Sequence, residues 1–296
     1  MKTRSITSVC YVLVIAALYV LKVFLPEGWG LLPFDLLFTA CCIIGTREIL
    51  RAIGGEKCTS LQKYLVYGYS FVAVPLVFLT DILGKNALSF SLLLFVLFVA
   101  MALALLVIEF ETATVEGTGI ALFALVYPNL LMVVCSFINH IGVTSNSNIG
   151  ILFLFVVCPF ADAAAYLFGK LLHKKFPMKM APKVSPNKSM VGGIGGILGG
   201  LVGALVVYFV YNAVSSVGMV NLTGVPDIVV VLAIGILGAL LCEFGDLVES
   251  AIKRKVGIKD MGNLLPGHGG ILDRFDGTMF TAIMILLLMA AISGGV

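Results

Sequence analysis

Apolar residues in this chain do not alternate with polar ones; they come in long unbroken runs parted by short polar stretches. Nine runs centre near Ile15, Leu37, Val74, Phe98, Tyr127, Val157, Val202, Ile234 and Leu286. Each reaches the ~18 residues or more that a helix needs to cross roughly 30 Å of hydrocarbon. The pattern predicts an all-α polytopic membrane protein with about nine transmembrane helices. The first run follows Lys2 and Arg4 as in a signal peptide, but no small-x-small cleavage site comes after it and further runs do, so an uncleaved helix is expected. Residues 1–140, about five spans, read as scaffold, and residues 141–296, about four spans, as the part that carries chemistry on its loops.

Composition agrees: 60% of the 296 residues are hydrophobic and 12% charged, with a mean hydropathy of +1.11, which excludes a soluble domain of this length. The net charge of +3 says little, but its distribution gives an orientation. With the N-terminus cytoplasmic, the inner segments carry Lys2, Arg4, Arg47, Arg51, Lys57, Lys63, Lys170, Lys174, Lys175, Lys179, Lys183, Lys188, Lys253, Arg254, Lys255, Lys259 and Arg274. These are 17 of the 19 basic residues, leaving Lys22 and Lys85 near the outer side. Cytoplasmic loops retain positive charge, so a multi-pass protein of the cell membrane with its two large basic loops facing the cytoplasm is expected. The seven cysteines lie mostly in apolar runs and never form C-x-x-C, so neither a disulfide framework nor a zinc site is indicated.

Polar chemistry gathers late in the chain. Glu243, Asp246, Ser250 and Lys253 are spaced by three, four and three residues, which places them on one face of the eighth span. Carboxylates inside a membrane are costly and usually face a cavity, a partner or a metal. A plainer reading pairs Asp246 and Glu249 with Lys253 or Arg254 near the interface. The loop that follows, Pro266-Gly267-His268-Gly269-Gly270, cannot be a regular helix; it is either a tight turn or a nest of backbone N–H groups for an anion. Asp273, Arg274 and Asp276 come directly after it. Carboxylates beside several cations suit Mg²⁺ carrying a polyphosphate.

A second constellation lies upstream. Asp162, Tyr166, Gly169 and His173 share a face of the sixth span, with Lys170 at its exit; Asp162 reads as a metal or cavity ligand, or as a buried hydrogen-bonding group. Lys183-Val184-Ser185-Pro186-Asn187-Lys188-Ser189 is a basic, hydroxyl-rich loop ahead of a helix start, a combination that favours phosphate. Lys174, Lys175 and Lys179 fit better as charges attracted to anionic lipid. The glycine-rich run Gly192 to Gly200 opens a span, where small residues let helices approach closely; no strand precedes it and it does not fit a dinucleotide-binding loop.

Ser250-x-x-Lys253-Arg254, Lys259-Asp260 and Pro266-x-His268-Gly269-Gly270-x-x-Asp273-Arg274-x-Asp276 together resemble the signature of the phosphatidate cytidylyltransferase family, the CDP-diacylglycerol synthases. Asp162-x-x-Ala165-Tyr166-x-x-Gly169 is similar to that family's sixth-span motif, and Ser185-Pro186-x-Lys188-Ser189 to its Ser-Pro-x-Lys-Thr/Ser loop. The likeness is strong over the second half and covers the first half only in span number and basic start. One position departs: Met190-Val191-Gly192 stands where the family has Trp-Glu-Gly, so that glutamate's task is dropped or supplied elsewhere. The resemblance implies conversion of CTP and phosphatidate to CDP-diacylglycerol and pyrophosphate at the cytoplasmic face, with Mg²⁺. It implies Lys253, Asp246 and Asp273 as catalytic residues, and Asp246, Asp273, Asp276 and Asp162 as metal ligands. Substrate contacts are implied for Ser185, Lys188, Ser250, Arg254, His268, Gly269, Gly270 and Arg274. His268, set between glycines with no second histidine or cysteine to join it, reads as a hydrogen-bonding or phosphate-contacting residue rather than a general base.

The expected partners are CTP and phosphatidate in the bilayer, with no nucleic acid; the resemblance and the glycine-rich spans allow a homodimer. Two rivals stand beside this reading. A transporter also carries intramembrane carboxylates, but here the acids sit at the cytoplasmic ends of late spans and no paired halves are visible. A cytidylyltransferase acting on an isoprenoid ether lipid shares the head-group chemistry and differs only in the tail pocket. A CDP-alcohol phosphotransferase is excluded, because Phe280-Thr281 stands where Ala-Arg is required.

Overall fold

The computed structural model describes residues 2–26, 28–142, 144–172, 174–264 and 269–293, with side chains from residue 9 on. The chain runs through α1 (Lys2–Phe24), α2 (Leu32–Ile53), α3 (Ser60–Ile82), α4 (Ala87–Ile108), α5 (Val115–Ala124), α6 (Leu131–Asn139) and α7 (Thr144–Leu172). A hairpin of β1 (Lys179–Ala181) and β2 (Ser185–Ser189) follows, then α8 (Met190–Val214), α9 (Asp227–Lys255) and α10 (Leu272–Ser293). Every apolar run of the sequence is a helix. Among the described residues eight helices are long and apolar enough to cross a membrane, α5 and α6 together forming one of them, and α1 adds a shorter apolar stretch, Val9–Phe24. The break between α5 and α6 is a wide turn over Leu125–Leu130, where Pro128 lacks an N–H and Tyr127 leaves helical geometry (φ −114, ψ 107).

The residues group into two compact units: Met1–His140 with Val256–Arg274, and Ile141–Lys255 with Phe275–Val296. In the first unit, α2 is the central helix, burying Phe34, Phe38, Cys42 and Ile49. Its polar groups are matched rather than solvated. The His140 ring lies 2.8 Å from both Asp35 and Asp81, Asp35 accepts from Ser136 at 2.8 Å, and Lys22 donates to Asn139 at 2.6 Å. Asp35, a buried acid within the apolar α2, is thus a structural partner. It also has company: α2 continues to Ile53, so Glu48 is a second buried acid of the same helix.

In the second unit α8 is the middle helix, and its glycines explain how. A β-carbon on Gly199 would lie 2.4 Å from both the Ala164 β-carbon and the Phe160 carbonyl of α7; one on Gly200 would lie 2.6 Å from the Ala239 β-carbon of α9. Close approach on two sides is the task of the Gly192 to Gly200 run. The run is therefore occupied within the chain, and the homodimer expectation draws no support from it.

The antiparallel hairpin is the one departure from the all-α expectation among the described residues, pairing Lys179 with Ser189 and Ala181 with Ser185. It ends in the start of α8, where the Ser189 hydroxyl accepts from Gly192 N at 3.2 Å as an N-cap.

Candidate active site

Within the second unit, the hairpin, the end of α7, the start of α8 and the middle of α9 enclose a cavity of about 520 Å³. This lies inside the ~300–1,000 Å³ range of small-ligand sites. Asp162, Tyr166, Gly169 and Lys170 line it from α7, Lys179, Asn187, Lys188 and Ser189 from the hairpin, and Glu243 and Asp246 from α9. Three carboxylates thus face the same space as three lysines, a balance that suits a polyanion together with a cation.

Lys188 is the hinge of this arrangement. Its ammonium lies 2.8 Å from Glu243 Oε2 and 2.8 Å from Asp246 Oδ2, and Asp246 Oδ1 accepts from Ser250 at 3.2 Å. Burial works against the lysine's charge, but the carboxylates of Asp246 and Glu243 outweigh it and hold the group above the ordinary lysine range. Glu243 reaches Lys188 because α8 has no side chain in the way: a β-carbon on Gly196 would lie 2.8 Å from Glu243 Oε1. The polar face expected on α9 is therefore real, but its pairing is divided. Lys253 goes to Glu249 at 3.0 Å, the plain interfacial pair, whereas Asp246 turns to the hairpin.

Asp276 joins this group through a helix crossing built on glycine. A β-carbon on Gly245 would sit 2.4 Å from the Asp276 carbonyl, and one on Gly277 2.6 Å from Cys242 Sγ. Gly245-Asp246 and Asp276-Gly277 meet because neither glycine holds the helices apart. The half-buried Asp276 carboxylate feels the charges of Asp246, Asp162 and Lys253, and accepts from its own Gly277 N at 2.7 Å.

Asp273 belongs to the first unit, at the opening turn of α10. Its Oδ2 accepts from Gly270 N at 2.7 Å and Met261 N at 2.9 Å, closing the loop on itself. Gly269 has φ +86, and a β-carbon there would lie 2.5 Å from that same oxygen, so this position requires glycine for both conformation and space. A β-carbon on Gly270 would run into Glu48. The two glycines thus have a steric task, whatever they do for substrate. His268, with Pro266 and Gly267, lies outside the described residues, as does His173.

Other expected residues fall less centrally. Ser185 pairs across the hairpin with Ala181 while its neighbours Asn187, Lys188 and Ser189 line the cavity. Arg254 and Arg274 are exposed at helix ends. Lys179, expected to serve a lipid surface, lines the cavity, whereas Lys174 and Lys175 are exposed. The sequence signal for Lys179 was only its basic type, which it shares with those neighbours.

Among the described residues no three His, Cys, Asp or Glu side chains gather as a ready metal-binding group. A closed cage of the zinc or calcium kind does not match this donor set. Mg²⁺ asks for less, one or two carboxylates with waters and substrate phosphates completing the shell, and Asp246 with Asp276 meets that requirement.

The family model that matches is the "Cytidylyltransferase family", over residues 2–292. A phosphatidate cytidylyltransferase of Staphylococcus haemolyticus is 29% identical over 290 residues, covering 98% of this chain and 99% of its own. One of Bacillus subtilis is 30% identical over 300 residues, with 99% of each chain covered. One of Staphylococcus aureus reaches 36% over 143 residues, 47% of this chain and 48% of its own. An integral-membrane fold, a cavity where lysines and carboxylates meet, and a match running nearly from end to end lead to one assignment: the chain belongs to the cytidylyltransferase family.

Proposed function

We propose that this protein transfers the cytidylyl group of CTP to phosphatidate, giving CDP-diacylglycerol and pyrophosphate, in a bacterial plasma membrane with the cavity open to the cytoplasm. The observation that carries this reading is the cavity itself, with Lys170, Lys179 and Lys188 set against Asp162 of α7 and Glu243 and Asp246 of α9. The names of the relatives supply the substrate.

In this reaction a phosphate oxygen of phosphatidate attacks the α-phosphorus of CTP, a new P–O bond forms, and the bond to the β-phosphate breaks to release pyrophosphate. The attacking oxygen is already anionic near neutral pH, so no strong base is needed. What the reaction needs is relief of repulsion between two anions and an in-line approach. An ammonium has three donors, and Lys188 directs two at Glu243 and Asp246, a geometry in which the third serves a phosphate oxygen. Lys170 and Lys179 extend the positive lining toward the hairpin. Asp246 and Asp276, with Asp162 beside them, are the residues proposed to hold Mg²⁺, and the family resemblance adds Asp273. Bound there, the ion supplies charge neutralisation at the phosphate oxygens. Glu243, already on Lys188, is proposed to take over the task of the glutamate that Val191 replaces.

The test is incubation of the purified protein in detergent with CTP, Mg²⁺ and phosphatidate. Pyrophosphate release and a CDP-lipid product are expected; their absence with competent lipid present would rule the reading out. In the same assay Asp246→Asn is expected to lose about 100-fold or more in turnover while the protein inserts normally.

A further inference from the structure

The opening turn of α10 is held by a side chain from far up the chain. Glu48 of α2 accepts from Ile271 N through Oε1 at 3.0 Å and from Leu272 N through Oε2 at 2.9 Å. These are backbone donors that a helix start leaves without intrahelical partners, and a carboxylate there also complements the helix dipole. Only 7% of Glu48 is exposed, and a buried acid is costly unless hydrogen-bonded. The backbone is cleared around it: a β-carbon on Gly270 would lie 2.3 Å from Oε1 and 2.5 Å from Oε2, and one on Gly262 2.3 Å from Oε1. On its other side the same turn is gripped by Asp273, whose Oδ2 takes the N–H groups of Gly270 and Met261. Four N–H groups in this short segment thus go to two carboxylates, and the direction of one carboxylate depends on the other's hold.

We propose that Glu48 is a positioning residue for cytidylyl transfer: by fixing the first turn of α10 it sets the orientation of the Asp273 carboxylate. The inference rests on the transferase reading above. It places a requirement of the reaction in the N-terminal half, on a residue whose carboxylate is taken up by the backbone of α10.

Glu48→Gln keeps the shape but replaces one acceptor oxygen by a donor, so one of the two N–H groups loses its partner. With folded protein confirmed by monodisperse elution, kcat is expected to fall about tenfold or more while KM for CTP changes less than about threefold. The Mg²⁺ concentration for half-maximal activity should rise, in the same direction as for Asp273→Asn, and Glu48→Asp should recover part of the loss. A purely stabilising cap would lower the active fraction without moving the Mg²⁺ requirement. That result, or wild-type turnover in Glu48→Gln, overturns the proposal. A second measurement needs no turnover. Gly270→Ala should lower the unfolding temperature strongly in the wild-type background and weakly in Glu48→Ala; equal losses in both backgrounds contradict the geometry. If wild-type protein released no pyrophosphate, the transferase reading would fall instead, and the unfolding comparison would still judge the contact.

Discussion

Lys188 concentrates the residue-scale physics, because its two carboxylate partners come from α9 and its place in the cavity from the hairpin. Its folded-state pKa is raised above the ordinary 10.5. With the carboxylates ionised, the ion pairs therefore contribute fully up to the unfolded lysine value of about 10.4, and on the alkaline side are lost as pH rises through the higher folded value. The stability difference between wild type and Lys188→Met, read from unfolding in detergent, should be flat from about pH 7 to about 9.5 and close only above that. Gly269→Ala meets two obstacles, a φ of +86 and the Asp273 oxygen 2.5 Å from the added carbon. A loss of roughly 1–3 kcal/mol is expected, measurable as a lower unfolding temperature. At this scale much was legible in sequence: Asp246, Ser250 and Lys253 share a face by spacing alone. Which cation meets which acid was not legible, since Lys188 and Asp246 are far apart in the chain and near only after folding. Glu48 was hidden for the same reason, its partners Ile271 and Leu272 lying 223 and 224 residues away.

Single elements explain why carboxylates converge without repelling the helices that carry them. The α9–α10 crossing uses Gly245 and Gly277, each next to an aspartate, so the backbones touch where the charges must meet. On α8 the glycines perform the same service for α7. Gly199→Val should displace Ala164 and the Phe160 carbonyl and cost about 1–3 kcal/mol, seen as earlier unfolding in detergent. Ser189→Ala removes the N-cap of α8 and should cost about 1 kcal/mol in the same measurement. The apolar runs announced every span, because a membrane helix is written in hydropathy. The hairpin was invisible because its strands are only three and five residues long, the longer one polar and carrying Pro186, so no alternation marks them. The wide turn at Pro128 was likewise buried in an apolar run that reads as uninterrupted helix.

For the whole molecule, the distribution of basic residues proposes one arrangement across the bilayer. Cysteine probes at Lys174 and at Asn221, in a Cys10→Ser background because Cys10 is the exposed native thiol among the described residues, provide the check. A membrane-impermeant reagent should label the first from the cytoplasmic side and the second from the opposite side. Labelling of both from one side would contradict the span order.

The bond between α2 and the start of α10 has a consequence in time. Its partners are 223 and 224 residues apart, so at ribosomal rates of about 5–20 residues per second the acid is made roughly 10–45 s before its donors. For that interval Glu48 lacks the two N–H groups that hold it in the finished protein, and the loop glycines that close over it do not yet exist. Translation order thus leaves α2 to be completed by the much later start of α10, and the turn bearing Asp273 takes its shape on an acid that was made well before it.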